Sequence, residues 1–408
     1  MASPLEDLTV ITIESWMAVP SASAILADMG ARVIKIEPPS GDPMRGMARK
    51  PKVDGAIVDY DLQFDVDNRG KQSIAIALDQ PEGQALARRL IADAQIFMCN
   101  LLPQRQARFG LDPASLKAVN PTLVHATLTG YGTEGPEARR PGYDVTAFFG
   151  RSGLYDAMRE GDDGIVPMAR PAQGDHTTGL ALVSAILAAL RQTERAPSFQ
   201  TVETSLYEAA VWTQATDFAT TAVDRAPVRR RKREQMLTVT ANRYPCGDGK
   251  WLVINNPPPS AWPHFCKAIE REDLMADPRF AEPRGRYDNM AALVAIVDET
   301  LSTRSRDDWG KAFDANGIIW GPVLSLDEVA SDAQAEAIGL FPEIEHPEYG
   351  SYRTVNAPMR FADLEVAPRG PAPRVGAHSG AILARAGLSE EEIGTLFEEG
   401  TITGQRDG

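Results

Sequence analysis

The first two hundred residues alternate short runs rich in β-branched residues with longer segments of helical spacing. This alternation is typical of βαβ units, in which crossover helices join parallel strands. Strands are predicted at residues 8–13, 32–36, 73–77, 95–98 and 123–128, and helices at residues 21–29, 81–94, 113–119 and 178–192. The chain is therefore predicted to belong to the α/β class, with a mostly parallel sheet.

The alternation breaks within a polar, basic stretch at residues 224–234, and a new periodicity starts beyond it. The segment Gly247, Asp248 and Gly249 predicts a tight hairpin turn before a strand at residues 251–254. From residue 326 the chain is rich in proline and loops until a short predicted helix at residues 389–398. Because such a segment cannot form a core alone, we expect it to return to the first domain.

Charge and hydropathy exclude several classes of partner. The 408 residues include 42 Lys and Arg against 56 Asp and Glu, a net charge of −14, so nucleic acid is not expected to bind. The longest mainly apolar run, residues 180–190, is about half of the ~20 residues that a membrane helix needs, so no membrane span is expected. The first residues lack the basic and apolar regions of a secretory signal, and a cytoplasmic location is expected.

Cysteine and histidine are sparse. The three cysteines, Cys99, Cys246 and Cys266, form no close pair, and the five histidines show no metal-ligand spacing. We therefore predict no metal site and no disulfide framework.

The segment Gly130-Tyr131-Gly132-Thr133-Glu134-Gly135 matches the dinucleotide-binding pattern G-x-G-x-x-G after a predicted strand. A phosphate-binding turn must open directly into a helix, and Pro136 and Pro141 make a regular helix improbable there. The pattern therefore favours a tight glycine turn over a nicotinamide or flavin site.

Asp175 is placed by the pattern Gly174-Asp175-x-x-x-Gly179, directly before the most apolar predicted helix. One interpretation is structural, with Asp175 as the N-cap that accepts first-turn N–H groups. The other is chemical, because a helix N-terminus favours an ionised carboxylate that could act as nucleophile or base. Spacing alone leaves both open.

The basic run at residues 229–233 is also ambiguous, since it fits either an exposed linker or a contact for a phosphorylated ligand. Trp16, Met17 and Tyr143, taken alone, are more typical of packing residues than of ligand contacts.

Several motifs, in order along nearly the whole chain, resemble those of the family III CoA-transferases, also called the CaiB/BaiF family. These motifs lie at residues 4–10, 26–39, 68–74, 100, 108–110, 174–179, 274–280, 321–323, 346–350 and 376–378. The family includes formyl-CoA and crotonobetainyl-CoA transferases and, less closely similar, α-methylacyl-CoA racemases.

The resemblance implies an intertwined homodimer whose subunits combine a large Rossmann-like domain with a smaller α+β domain through long linkers. The active site is expected at an interface between domains and subunits. On this pattern the large CoA-binding domain spans residues 1–205, a linker 206–235, the small α+β domain 236–325, and a linker and returning C-terminal segment 326–408.

The resemblance also implies a role for Asp175, which occupies the position of the family's aspartate nucleophile. A free carboxylate is a poor electrophile, so CoA transfer without ATP must conserve the thioester energy covalently. Asp175 is therefore expected to pass through an acyl-aspartyl anhydride and an aspartyl-CoA thioester. Backbone N–H groups near the oxyanions would stabilise each tetrahedral intermediate.

Coenzyme A is the expected co-substrate, exchanged between an acyl-CoA and a small carboxylic acid, with no tightly bound cofactor. The resemblance gives the following CoA-binding residues: Ser15, Trp16, Met17 and Ala18 along the CoA, Asn100 and Arg108 at its pantetheine and nucleotide ends, Arg69 and Lys71 as nearby cations, and Tyr143 beside the thioester. Two departures alter the pattern: Pro38 replaces a frequent basic residue, and residues 255–259 replace a glycine-rich loop of the formyl-CoA branch.

Two alternatives stay open. A racemase of this family would pair the aspartate with a histidine in a Gly-His-Asp segment, but Tyr143 stands there, and its ordinary pKa near ~10 makes it a poor base at neutral pH. His176 could substitute only if its side chain faced the same point as Asp175. A CoA-thioester-binding protein without turnover is the other alternative.

Overall fold

The computed structural model describes residues 2–47, 50, 52–53 and 56–406. The chain forms two compact units. The large unit comprises Met1–Asp156, Met168–Ala226 and Gly339–Gly408, and the small unit comprises Ala157–Pro167 and Pro227–Ile338. The sequence-derived division into two domains and two linkers stays a prediction.

The elements are numbered along the whole chain. The strands are β1 (Thr9–Ile13), β2 (Arg32–Glu37), β3 (Lys52–Val53), β4 (Ala56–Ile57), β5 (Gln72–Ile76), β6 (Ile96–Cys99), β7 (Val124–Thr129), β8 (Gln200–Ser205), β9 (Ala241–Pro245), β10 (Trp251–Asn255), β11 (Trp320–Val323), β12 (Glu343–His346), β13 (Gly350–Arg353) and β14 (Ile402–Thr403). The α-helices are α1 (Ala18–Asp28), α2 (Leu62–Asn68), α3 (Pro81–Ala92), α4 (Pro103–Phe109), α5 (Pro113–Val119), α6 (Leu154–Ala157), α7 (Gln173–Arg195), α8 (Leu206–Thr213), α9 (Ala215–Asp224), α10 (Ala261–Ala268), α11 (Pro283–Asp288), α12 (Met290–Leu301), α13 (Arg306–Ala315), α14 (Leu326–Ala330), α15 (Ala333–Ala337), α16 (Ser379–Arg385) and α17 (Glu390–Glu398). A π-helix covers Asp144–Arg151, and 3₁₀-helices cover Arg233–Gln235 and Glu272–Met275.

The large unit is built on a seven-stranded sheet in the order β14-β5-β2-β1-β6-β7-β8. The six strands from β5 to β8 are parallel, and the edge strand β14 pairs antiparallel with β5. The predicted α/β class and mostly parallel sheet are confirmed. Chain order reverses beside β1, and in such sheets ligands bind outside the carboxyl ends of the strands at this point.

Helices cover both faces of this sheet, because side chains alternate along each buried strand. Val10 of β1 belongs to a core that includes α1 and α7, whereas the adjacent Ile11 packs in a second core with α3, α16 and α17. Strand β6 is buried along its whole length, as expected for a parallel strand covered on both sides. The fold thereby fixes the start of α1 at the carboxyl end of β1.

The small unit has a three-stranded antiparallel sheet in the order β11-β10-β9. The predicted hairpin is present, with β9 and β10 paired across the turn at Gly249, whose φ is +75°. Helices α10 to α13 supply most of the core, in which Phe265, Trp309 and Phe313 are fully buried. Strands β8 and β14 were not predicted from the sequence, although β8 does alternate partly buried and exposed residues. No helix within the described residues is long and apolar enough to cross a membrane.

Candidate active site

Asp175 is the third residue of α7, within its first turn. The N-cap is Ala172, which adopts a left-handed conformation with φ +83° and makes no side-chain capping hydrogen bond. The N-cap interpretation of Asp175 is therefore wrong. A non-glycine residue in this region is strained, and such strain is concentrated at functional sites.

Both glycines of the Asp175 motif are required by close packing. A Cβ atom on Gly174 would lie 2.6 Å from Cγ of Phe148 and 3.0 Å from Cβ of Asp144. A Cβ atom on Gly179 would lie 2.4 Å from Oγ of Ser21 in α1. Asp175 and Gly179 are four residues apart and share one face of α7. The carboxylate therefore lies one turn from the contact with α1, toward the N-terminal end of α7.

Four ionisable side chains form what we call the acidic cluster: Asp67, Asp144, Asp175 and His176. Asp67 and Asp144 are buried, and the Asp144 Oδ2 accepts a hydrogen bond of 2.7 Å from the Ala172 N–H. Nε2 of His176 lies 3.0 Å from Oδ1 of Asp67. Asp67 thus contacts the imidazole directly, and the charges of Asp144 and Asp175 also act on it.

Within the cluster, the largest change is in the pKa of Asp175. Burial, together with the charges of Asp144 and Asp67, raises the pKa of Asp175 to about 7, although His176 opposes the shift. Burial also raises the pKa of Asp144, against hydrogen bonds from backbone N–H groups. A carboxylate with a raised pKa is more basic and hence a better nucleophile once ionised.

The segment that links β1 to α1 lies next to this cluster. Trp16 has φ +67°, and its ring meets the Tyr143 ring edge to face at a centroid distance of 5.4 Å. Asn100 fixes Ser15 through two hydrogen bonds, 2.7 Å to the carbonyl and 3.2 Å from the N–H. Because Tyr143 directly precedes Asp144, Trp16 and Tyr143 connect the segment to the acidic cluster.

A cleft of about 320 Å³ opens at the carboxyl ends of four strands of the large sheet. Ser15 after β1, Pro38 after β2, Leu78 after β5 and Asn100 after β6 line it, and Arg105 from α4 supplies a cation. The position follows from the reversal of strand order beside β1. Arg105 was not singled out in the sequence. Arg108 is exposed on α4 and is not among the residues that line the cleft, and its assignment to CoA binding stays a prediction.

Arg69 and Lys71 are buried, with exposures of 3% and 4%. Arg69 forms an ion pair of 2.6 Å with Asp28, and Lys71 forms one of 2.7 Å with Glu14. Their charges are balanced inside the protein, which disfavours direct contact with a phosphate. Their assignment to CoA binding stays a prediction.

Two other sequence features have clear structural outcomes. Residues 130–143 form turns and loops, and no helix starts until Asp144, so the glycine pattern is a turn. In the basic run, Arg230 pairs with Asp162, Lys232 with Asp163 and Arg233 with Asp298, all within the small unit. This pairing is typical of a solvated surface segment.

Comparison with known proteins identifies the family of the chain. The family model described as CoA-transferase family III matches residues 5–379. The chain is 30% identical over 404 residues to the (R)-2-hydroxy-4-methylpentanoate CoA-transferase of Clostridioides difficile, covering 98% of this chain and 99% of the relative. It is 28% identical over 402 residues to the cinnamoyl-CoA:phenyllactate CoA-transferase of Clostridium sporogenes, covering 96% of each.

A solved structure shows the same similarity. The crystal structure of a CaiB/BaiF family protein from Brucella suis matches with a TM-score of 0.84 and 28% identity, covering 95% of this chain and 100% of that chain. The resemblance seen in the sequence motifs is confirmed. The chain belongs to CoA-transferase family III and is an acyl-CoA:carboxylate CoA-transferase with coenzyme A as co-substrate.

Proposed function

We propose that the enzyme transfers CoA from an acyl-CoA to a small carboxylic acid by covalent catalysis at Asp175. The observation that carries this proposal is the position of Asp175 in the first turn of α7, within an acidic cluster that raises its pKa to about 7. No hydrogen-bond donor neutralises this carboxylate within the described residues, so its lone pairs are free to attack.

The reaction proceeds through two covalent intermediates. The ionised Asp175 carboxylate attacks the thioester carbonyl, the C–S bond breaks, and the products are a mixed anhydride and a CoA thiolate. The thiolate attacks the aspartyl carbonyl, releasing the first acid as its carboxylate and leaving an aspartyl-CoA thioester. The second acid attacks this thioester to form a new anhydride, and the thiolate then attacks the acyl carbonyl to give the new acyl-CoA and free Asp175. No net proton is consumed, and each step exchanges one acyl bond for another.

Neutralisation of Asp175 favours the first step. The ionised carboxylate faces the like charges of Asp144 and Asp67, and acylation removes its charge. Part of the repulsion present in the free enzyme is therefore relieved when the anhydride forms.

We assign the CoA nucleotide to the cleft at the carboxyl ends of the strands, where Arg105 in the lining supplies a cation for its phosphates. The chain from Ser15 to Ala18 carries the pantetheine toward Asp175, and Asn100 holds this chain in place through Ser15. Trp16 and Tyr143 flank the thioester. Tyr143 is 51% exposed, so its ring is accessible to a substrate.

The protein functions as a homodimer in the cytoplasm. Support for the dimer comes from the family resemblance, and the net charge of −14 disfavours a nucleic-acid partner. Light scattering coupled to size exclusion measures the dimer directly, and a monomer at micromolar concentration would contradict it.

The test is to trap the aspartyl intermediate. The protein is incubated briefly with a panel of acyl-CoAs that includes cinnamoyl-CoA, followed by hydroxylamine, intact-mass analysis and peptide mapping. We expect a hydroxamate on Asp175, and the acyl-CoAs that produce it identify the donor class. Absence of an adduct together with exchange of an α-proton in deuterated water would instead support a racemase, and bound CoA with neither reaction would support a protein without turnover.

A further inference from the structure

His176 follows the proposed nucleophile on α7 and is held by a buried partner. Its Nε2 lies 3.0 Å from Oδ1 of Asp67, a residue that is 4% exposed at the end of α2. The backbone carbonyl of Asp67 accepts a hydrogen bond of 2.6 Å from Nζ of Lys71, which is itself fully enclosed. The imidazole is therefore anchored through α2 to the buried ion pairs of the large unit.

The surroundings of His176 are mostly apolar on one side. A cavity of about 280 Å³ is lined by His176 and by apolar residues that include Ile25, Val66, Leu180 and Ala357. Apolar walls screen charges less than water does and so strengthen the interaction of the imidazole with the carboxylates on this side, whereas 45% of the His176 side chain is exposed to solvent.

Charged groups reach His176 from each adjoining element. Asp67 comes from α2, Asp144 from the π-helix, and Asp175 from α7 itself. Arg69 lines the same cavity, but its guanidinium is paired with Asp28 at 2.6 Å. Burial alone would lower the pKa of His176, but Asp67, Asp175 and Asp144 together raise it above its ordinary value. The three carboxylates thus favour the positively charged form of His176.

We propose that His176, anchored by Asp67, is a positioning residue that keeps the Asp175 carboxylate ionised for attack on the thioester. This inference rests on the proposed function of Asp175. The cation offsets the repulsion from Asp144 and Asp67, which would otherwise keep a proton on the nucleophile. Asp67 is required because it holds the imidazole in its charged form and fixes its place beside the first turn of α7.

The first test compares the pH profiles of His176→Gln and the wild type. The acidic limb of kcat/KM in the wild type should lie near the pKa of Asp175, about 7. Loss of the cation should move this limb upward by about one pH unit, which lowers kcat/KM about tenfold at pH 6 and by less than about 1.3-fold at pH 9. His264→Gln, at an exposed histidine of α10, is the matched control and should leave the profile unchanged.

A profile of His176→Gln that keeps its acidic limb in place would overturn the proposal, as would an equal loss at every pH. The hydroxamate trap separates this failure from failure of the proposed function. If the wild type forms the Asp175 adduct and the limb does not move, the role of His176 is wrong while the nucleophile stands. If the wild type forms no adduct, the proposed function fails first.

The second test follows the imidazole itself and does not depend on activity. Carbon-13 labelling of the histidines lets NMR titrate all five rings, and His176→Gln assigns the signal of interest. Asp175→Asn should lower the pKa of His176, because coupling between two ionisable groups is reciprocal. Asp67→Asn should lower it further, since it removes the direct ion-pair partner. An unchanged titration in both variants would show that His176 does not sense the cluster and would overturn the proposal.

Discussion

Two charged clusters lie within the large unit, one beneath the carboxyl ends of β1 and β2 and the other at the start of α7. In the first, Lys35 pairs with Asp42 at 2.6 Å and Lys71 pairs with Glu14 at 2.7 Å. The amide oxygen of Asn68 accepts a further hydrogen bond of 2.7 Å from Lys35. In the acidic cluster, by contrast, three carboxylates share the single imidazole of His176.

The difference between the clusters shows which charges hold the fold and which can react. Each lysine of the first cluster has its counter-charge at contact distance, and burial lowers the pKa of Lys71 only to about 8, so it remains charged at neutral pH. Covalent modification of a group whose charge is matched in this way relieves no electrostatic repulsion. Asp175 has an excess of like charge around it and therefore loses repulsion when it is acylated.

The largest expected effect is on catalysis. Asp175→Asn removes the nucleophile without changing the size of the side chain, and we expect transferase activity to fall by about 10⁴-fold or more. Initial rates of acyl-CoA formation measure the loss. Asp217→Asn is the matched control, because Asp217 is an exposed first-turn aspartate of α9. Retention of more than about 1% of the activity in Asp175→Asn would rule out the covalent route.

The second effect is on stability and concerns the first cluster, in which each lysine is paired with a carboxylate; we call it the matched cluster. Lys71→Met removes the nearest cation from the buried Glu14, which keeps the Ser23 hydroxyl and, at 4.0 Å, Lys35. Removal of one member of a buried ion pair is expected to lower the free energy of unfolding by about 3–5 kcal/mol, and the remaining contacts place this change at the lower end of that range. Urea denaturation followed by circular dichroism measures the change. Arg284→Ala is the control, since the Arg284–Asp288 pair is exposed and its loss should change stability little. If Lys71→Met and Arg284→Ala lowered the free energy of unfolding equally, the buried pairs would not be more important for stability than the exposed pair.

Much of the fold can be predicted from the sequence because strong local patterns decide it. The strands near β1, β2, β5, β6 and β7 follow from β-branched runs, and α3 begins at Pro81 as its helix-start signal indicates. Strand β14 could not be predicted, since two residues acquire a strand conformation only by pairing with β5. The π-helix at Asp144–Arg151 likewise depends on tertiary contacts and has no local signal.

The site was only partly predictable for a similar reason. Asp175 stands out through a motif of closely spaced glycines, whereas Asp67 and Asp144 lie about 108 and 31 positions before it and reach it only through the packing of α2 and the π-helix. Arg69 and Lys71 are cations in a family motif, but sequence alone does not reveal that Asp28 and Glu14 neutralise them. Partners distant in sequence decide which charges are available to a ligand.

A third change alters the spacing inside the acidic cluster. Gly174→Ala places a Cβ atom 2.6 Å from Phe148 and 3.0 Å from Asp144, so α7 must shift away from the π-helix. We expect a loss of about 1–3 kcal/mol in the free energy of unfolding, with reduced kcat because Asp175 moves with the helix. Thermal unfolding and steady-state kinetics measure both. Gly321→Ala, where a Cβ atom would meet no neighbour within 4 Å, is the control and should change neither.

The smallest expected effect is a stability change of the opposite sign: Lys71→Met should destabilise the fold, whereas Asp175→Asn should stabilise it. The ordinary pKa of Asp175 is 3.8 and the folded value is about 7, so the folded protein retains a proton that the unfolded chain has lost between these pH values. The cost of the ionised carboxylate is therefore absent below pH 3.8, grows as the pH rises, and is complete above about 7. Asp175→Asn should thus stabilise the fold at pH 8 by about 1–2 kcal/mol, a value reduced for partial solvent exposure.

This gain in Asp175→Asn should shrink steadily as the pH falls toward 4, which urea denaturation at pH 8, 6 and 4.5 can follow. Asp217→Asn, at an exposed aspartate, should show no such trend. A destabilisation by Asp175→Asn at pH 8, or a gain that does not depend on pH, would mean that the carboxylate is not held against the charge of its neighbours. The acidic cluster would then resemble the matched one, and its reactivity would need another physical cause. A gain that follows the titration of Asp175 would instead show that the fold sacrifices stability to keep this carboxylate reactive.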